Sequence, residues 1–135
     1  MKFTYHADGT RPICNPKTVF VFGSNLKGYH GAGAALLATQ KYGAAPGMGA
    51  GWSGNSYAVP TKCKNLHALP LDDIQMYAEC FCIFSNKLPH MEYFVTAVGT
   101  GFAGYKHEQI APMFRSANPL CSFPEEWYEF LELEN

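Results

Sequence analysis

At 135 residues the chain has room for one domain with a real core but not for two, so residues 1–135 are read as a single domain. Hydrophobic residues make up 47% and charged residues 16%, which excludes a disordered chain. A formal net charge of −1 gives no general drive toward a polyanion, and on that ground nucleic acid is not expected as a partner.

In chain order, a polar opening rich in turn formers leads to Thr18-Val19-Phe20-Val21-Phe22, an apolar, β-rich run that predicts a strand buried on both faces. The strand is expected to stop at Gly23-Ser24-Asn25. A loop with Gly28, Gly31 and Gly33 follows, and Ala34 to Tyr42 favours a helix that Gly43 ends. Ala44 to Asn55 reads as irregular, and Ser56 to Thr61 as a short strand. Leu71 to Asn86 predicts a helix with Ile74, Tyr77, Ala78, Phe81, Cys82 and Phe84 on its apolar side and Asp72 or Asp73 capping its start. Tyr93 to Val98 is another strand, followed by Gly99 to Tyr105 and a helix containing Ile110, Ala111, Met113 and Phe114. The pattern of Phe123 to Leu133 fits either a strand or a short amphipathic helix. Two strand, glycine loop, helix units in a short chain predict an α/β sandwich.

Thirteen glycines need a reason, because each costs backbone entropy on folding. The first cluster runs from Gly23, Ser24 and Asn25 to Gly31, Ala32 and Gly33. It lacks the ending of a P-loop and the spacing of the dinucleotide fingerprint. It does place an amide, suited to two ribose hydroxyls, before small residues around which a pyrophosphate could wrap. The second, Thr100-Gly101-Phe102-Ala103-Gly104-Tyr105, repeats the arrangement at another strand end. Open α/β sheets bind ligands there, so the two loops are expected to form opposite walls of one cleft. Phe102 and Tyr105 would stack on a base or pack against a ribose, with rim or core packing as the plainer alternative. Tight turns and close helix–sheet packing are the plain alternative for the glycines.

His30 stands in a polar setting, where an imidazole could contact the ligand or carry a proton. The remaining histidines show no metal spacing. Of the five cysteines, Cys80 and Cys82 have one residue between them and no second close pair completes a four-ligand zinc set, while the odd number argues against full disulfide pairing. They are expected to be reduced packing residues, with Cys63 or Cys82 as a nucleophile lacking any identifiable base. No metal and no cofactor is expected. No apolar run is long enough to cross a membrane, and Met1 to Asp8 lacks the apolar core of a signal peptide, so a cytoplasmic protein without a membrane partner is expected. Glu125, Glu126, Glu129, Glu132 and Glu134 make the tail acidic.

The two loops, in their order and spacing, resemble those of macro domains, and of a compact branch found in bacteria and phages. The likeness runs over residues 18 to 115 and includes Ser56-Tyr57-Ala58-Val59-Pro60-Thr61. It implies a three-layer α/β/α sandwich with a mixed sheet, and binding of ADP-ribose or a related nucleotide, free or protein-linked. By that resemblance Asn25 would contact the distal ribose, with Gly31, Ala32 and Gly33 beside it and the diphosphate. Thr100, Gly101, Phe102, Ala103 and Gly104 would form the second phosphate loop, with Tyr105 at its edge and Asp8 the one acidic candidate for the adenine. The commonest hydrolases of the family carry an Asp where this chain has Ala35. Hydrolytic removal of ADP-ribose from a target would then rest on Asn25 and His30 as catalytic groups. The alternative function is a non-enzymatic interaction or regulatory domain with structural glycine loops, and the sequence leaves open whether the chain is an enzyme.

Overall fold

The computed structural model describes residues 1–133; Glu134, the last acidic residue of the tail, lies outside them. Six strands make one sheet: β1 (Thr4–His6), β2 (Thr18–Asn25), β3 (Gly51–Ser53), β4 (Ser56–Lys62), β5 (Glu92–Val95) and β6 (Cys121–Pro124). Their order is β1-β6-β5-β2-β4-β3, and every pair is parallel except the β3–β4 hairpin. The sheet is therefore mixed, with helices on both faces, as a three-layer α/β/α sandwich requires.

Side-chain alternation along β2 divides the core. Val19 and Val21 join a large cluster with Ile74, Ala78 and Phe81 of α2 (Leu71–Lys87). Phe20 and Phe22 point the other way, into a smaller cluster with Ala35 and Ala38 of α1 (Gly33–Lys41) and with Tyr42. A strand at the centre of a parallel sheet is covered twice, and the unbroken apolar run of β2 follows from that. Gly43, at φ +75°, turns the chain out of α1, and the Ala44 N–H reaches back to Ala38 O. The buried positions of α2 (Ile74, Ala78, Phe81, Cys82 and Ser85) repeat at helical spacing.

The expected elements are present with shifted ends. β2 continues through Gly23-Ser24-Asn25, because Gly23 and Ser24 pair with Val59 and Pro60 of β4. β5 ends at Val95, three residues early. Asp72 and Asp73 lie in the first turn of α2, but Pro70 is its N-cap and no side chain caps it. The tail uses both of its options in sequence: β6, a 3₁₀ turn over Glu125–Trp127, then α4 (Tyr128–Leu131). The helix after the second loop is α3 (His107–Ile110) continued as a 3₁₀ turn over Ala111–Phe114. Two strands were not foreseen, β1 in the polar opening and β3 in the glycine-rich stretch. Between β1 and β2 an irregular strap crosses the α1 face, tied by Tyr42 Oη to Pro12 O at 2.6 Å and by Asn55 Nδ2 to Asn15 O at 2.9 Å.

The chain leaves β2 through α1 toward β4 on one side, and leaves β5 through α3 toward β6 on the other. β2 and β5 are neighbours, so their connections diverge at their carboxyl ends and leave a crevice between them.

Candidate functional site

A cavity of about 570 Å³ occupies that crevice. Gly23, Ser24, Asn25, Tyr29, Gly31 and Ala32 line one wall, and Gly99 to Ala103 the other. The two loops, far apart in sequence, thus face one space. Thr61 and Lys62, from the end of β4, and Leu66, from the turn after it, complete it.

Both walls present unpaired backbone donors. Among the described residues no protein acceptor meets the N–H groups of Gly31, Ala32, Gly101, Phe102 or Ala103. α1 begins at Gly33 with no side-chain cap on its first turn, and Ala34 and Ala35 line the cavity. An uncapped helix start beside free loop amides favours an anion. Nothing stands within 4 Å of where a Cβ would lie on Gly101 or Gly104, so these glycines face open space. Gly28 (φ +75°) is instead a point of close packing, since a Cβ there would strike the Gly47 backbone. The segment around Gly47 buttresses the first loop, through Gly47 N–H to Gly28 O at 2.9 Å and the Ser24 hydroxyl to Gly49 O.

The structure distributes the anticipated residues unevenly. Asn25 lines the cavity, but its amide is engaged within the loop: Nδ2 donates to Tyr29 O at 2.8 Å, and Oδ1 accepts from Tyr29 N at 3.0 Å. His30 is not in the lining. Its buried ring meets Phe22 edge-on at 5.2 Å, Nε2 lies 3.2 Å from Met48 O, and Nδ1 has no partner among the described residues. Gly33 stands beneath the Phe102 ring, and Gly104 closes the second loop by its N–H to Gly101 O at 3.0 Å. Tyr105 packs outside the cavity with its hydroxyl on Leu69 O at 2.5 Å. Thr100 donates its hydroxyl to Ala97 O at 2.8 Å and keeps its lone pairs for another donor.

Lys62 was missed. It is the one charged side chain in the lining, and its Nζ lies 4.8 Å from the Phe102 ring centre. The only sequence signal for it was its place at the end of a strand parallel to β2.

A second cavity, of about 290 Å³, shares Thr96, Ala97 and Thr100 with the first. The two form one trough along the carboxyl edge of the sheet. Asp8 and Glu126 line the far end together with His6 and His107. His107 Nδ1 accepts from the buried Trp127 Nε1 at 2.9 Å, so in the neutral ring Nε2 carries the proton. Burial holds His6 down to about 4, and its ring stacks on Phe94 at 3.8 Å. Burial pushes the Cys82 thiol up to about 11, and Cys121 up as well, which suits packing and opposes thiolate chemistry. Among the described residues no cluster of three or more His, Cys, Asp or Glu is placed to hold a metal ion, and no helix is long and apolar enough to cross a membrane.

No family model and no curated protein matches the chain. Among solved structures, that of Thermosipho africanus DarTG in complex with ADP-ribose superposes with a TM-score of 0.56 at 15% identity, over 82% of this chain and 38% of that one. The chain thus spans less than half the length of that protein, and at this identity the likeness establishes the fold, a macrodomain-like sandwich. It also corrects one expectation. Excluding nucleic acid rested on net charge, which governs non-specific contact with a polyanion. That structure holds ADP-ribose, a group whose recognition does not depend on a protein's net charge, so the exclusion does not stand.

Proposed function

We propose that this chain binds ADP-ribose or a nucleotide of the same plan along the trough. The observation that carries the reading is the convergence of both glycine loops, with free N–H groups, on one cavity at the β2/β5 crevice. The diphosphate lies between the loops and the start of α1, where donors and the helix dipole oppose its charge. Lys62 adds the only full positive charge. The distal ribose lies toward Asn25 and Gly31, and the base lies in the second cavity, where Asp8 accepts from an exocyclic amine. The site and a cytoplasmic location are parts of the same proposal.

Removal of the ADP-ribosyl group is a second reading, and Lys62 is what favours it. The lining of the main cavity contains no His, Asp, Glu or Cys, and Ala35 stands where the commonest hydrolases carry an acid. His30 is turned into the protein, against Phe22 and Met48 O, and is not part of that lining. Lys62 is the only amine at hand.

Calorimetric titration with ADP-ribose, AMP and NAD tests the first reading. Saturable ADP-ribose binding is expected, weakened roughly ten- to hundredfold in Lys62→Ala, the range for losing a charge-assisted hydrogen bond of about 1.5–3 kcal/mol. Absence of binding by all three ligands sinks it. In the second reading water attacks C1 of the distal ribose, the bond to the target breaks, and the Lys62 ammonium gives its proton to the leaving group and regains one from the water. Lys62→Arg keeps the charge and cannot give up the proton. Retained binding with lost turnover on an ADP-ribosylated substrate supports chemistry at Lys62; equal turnover rejects it.

A further inference from the structure

α2 faces the sheet through Ile74, Ala78, Phe81 and Ser85. A helix with water behind it keeps its outer side polar, and one flank of α2 obeys, with Gln75 bonded to Glu79 at 3.1 Å. The other flank does not. Met76 is 51% and Ile83 58% exposed, and Cys80 between them is exposed as well. Steps of four and three residues set these side chains in one stripe along the helix. Tyr77 and Phe84, half-buried against the main core, border the stripe. Beside them Trp52 of β3, 49% exposed, lies with its ring 5.3 Å from Phe84 and widens the apolar face. Asp73 and Lys87, both exposed, stand at the two ends of the same stripe.

The stripe is self-complementary. Counted from Cys80, apolar side chains stand three and four residues away in both directions, Met76 and Tyr77 before it, Ile83 and Phe84 after it. Seven residues away stand an acid, Asp73, and a base, Lys87. This is heptad spacing, by which two helices pair along their length at a shallow crossing angle. Two copies of α2 laid antiparallel about a twofold axis at Cys80 bring Met76 of each to the aromatic pair Phe84 and Trp52 of the other, a contact that thioethers favour. The same axis sets each Asp73 against the other copy's Lys87. Parallel copies would set Asp73 on Asp73 and Lys87 on Lys87, and like charge opposes that arrangement. We propose that the outer stripe of α2, with Trp52, is a homodimer interface occupied by a second copy of this chain in antiparallel register.

Pairing takes the exposed apolar side chains out of water, which is what drives it. A standard stable interface engages about 20–30 residues a side, and one helix face with one indole supplies far fewer. The dimer is therefore weak and forms with concentration. None of the stripe residues lines either cavity, so the inference stands apart from the ligand reading.

The test is sedimentation of the full chain over a concentration series up to about 1 mM, the reach of a weak interface, together with a short bismaleimide that links neighbouring thiols. Association that grows with concentration is expected, with the link mapped by peptide mass to Cys80 joined to Cys80. Ile83→Asp sets a charge in the stripe at an exposed position, so it should keep the fold and leave a monomer. Asp73→Lys and Lys87→Asp should each weaken the dimer about tenfold, and the two together should restore it. Reversed charges that acted only by weakening the helix ends would make the double variant the weakest of the three, and that result overturns the antiparallel pairing. A chain that stays monomeric through the whole series overturns the proposal and leaves the face to a different partner. So does a dimer that survives Ile83→Asp, or one linked through Cys14 or Cys63 in place of Cys80.

Discussion

His6 shows how one ring couples the trough to the stability of the sheet. It lies nearly parallel to Phe94, with Nδ1 2.8 Å from Ser122 Oγ. Burial is the main reason its pKa falls to about 4 from 6.5, against the Glu126 charge and a backbone bond at Val95, which act the other way. With the folded value below the unfolded one, the unfolded chain binds the extra proton between them. The contribution of His6 is whole above pH 6.5 and is lost as pH falls through the window down to about 4. Denaturant midpoints at pH 7 and pH 5 measure it: the wild type should lose more stability across that interval than His6→Phe, which keeps the stack and cannot titrate. Equal losses would clear His6 of the effect. The same scale shows where residue reading stops. Asn25 was legible as a polar residue at a strand end, but its partner four residues on was not. His30 was legible as a polar imidazole, yet its direction is set by Met48, in a segment whose glycines carry no periodicity.

β1 is the element the sequence concealed most completely. Three residues of a polar opening carry no readable alternation, and the partner strand β6 lies more than a hundred residues later. The contacts that hold it are equally remote. The Glu132 carboxylate accepts from Lys2 N at 2.9 Å, Phe3 N at 3.0 Å and Tyr5 Oη at 2.7 Å. These bonds, led by the one from Lys2 N–H, hold its pKa below the usual carboxylate range. The contribution is present above the unfolded carboxylate value and disappears as pH falls through the depressed folded one. Glu132→Gln keeps one good acceptor and loses the charge. A Tm lower by roughly 3–5 °C at pH 7 is expected, with faster amide exchange in β1 and a gap that narrows in acid. An unchanged exchange rate in β1 would show that the strand is held by its pairing with β6 and by Phe3 packing alone. β2, β4, β5 and α2 were readable because their apolar residues repeat within the element itself, whereas β1 exists only through what it meets.

For the whole molecule, the decisive fact is that the sheet places two similar sequences on either side of one crevice. The glycine loops could be recognised separately, and the parallel order of β2 and β5 was the expected consequence of two strand, loop, helix units. The second cavity could not be read, because it combines the end of β1, the turn at Asp8 and the tail residue Glu126 with Thr100. A ligand spanning both cavities must therefore stabilise more than either of its halves. A ligand bound only by the folded chain adds about 2.7 kcal/mol at a hundred times its Kd, which for a chain of this size raises Tm by roughly 9 °C. Thermal unfolding with equal concentrations of ADP-ribose, AMP and ribose 5-phosphate compares the whole ligand with its parts. The trough requires ADP-ribose to give the largest rise, with each half giving a small one. If AMP alone matches ADP-ribose, the grip lies in the cavity of Asp8 and Glu126, and the glycine loops are left as structural turns. If ribose 5-phosphate matches it, the loops bind phosphate and the base end contributes nothing.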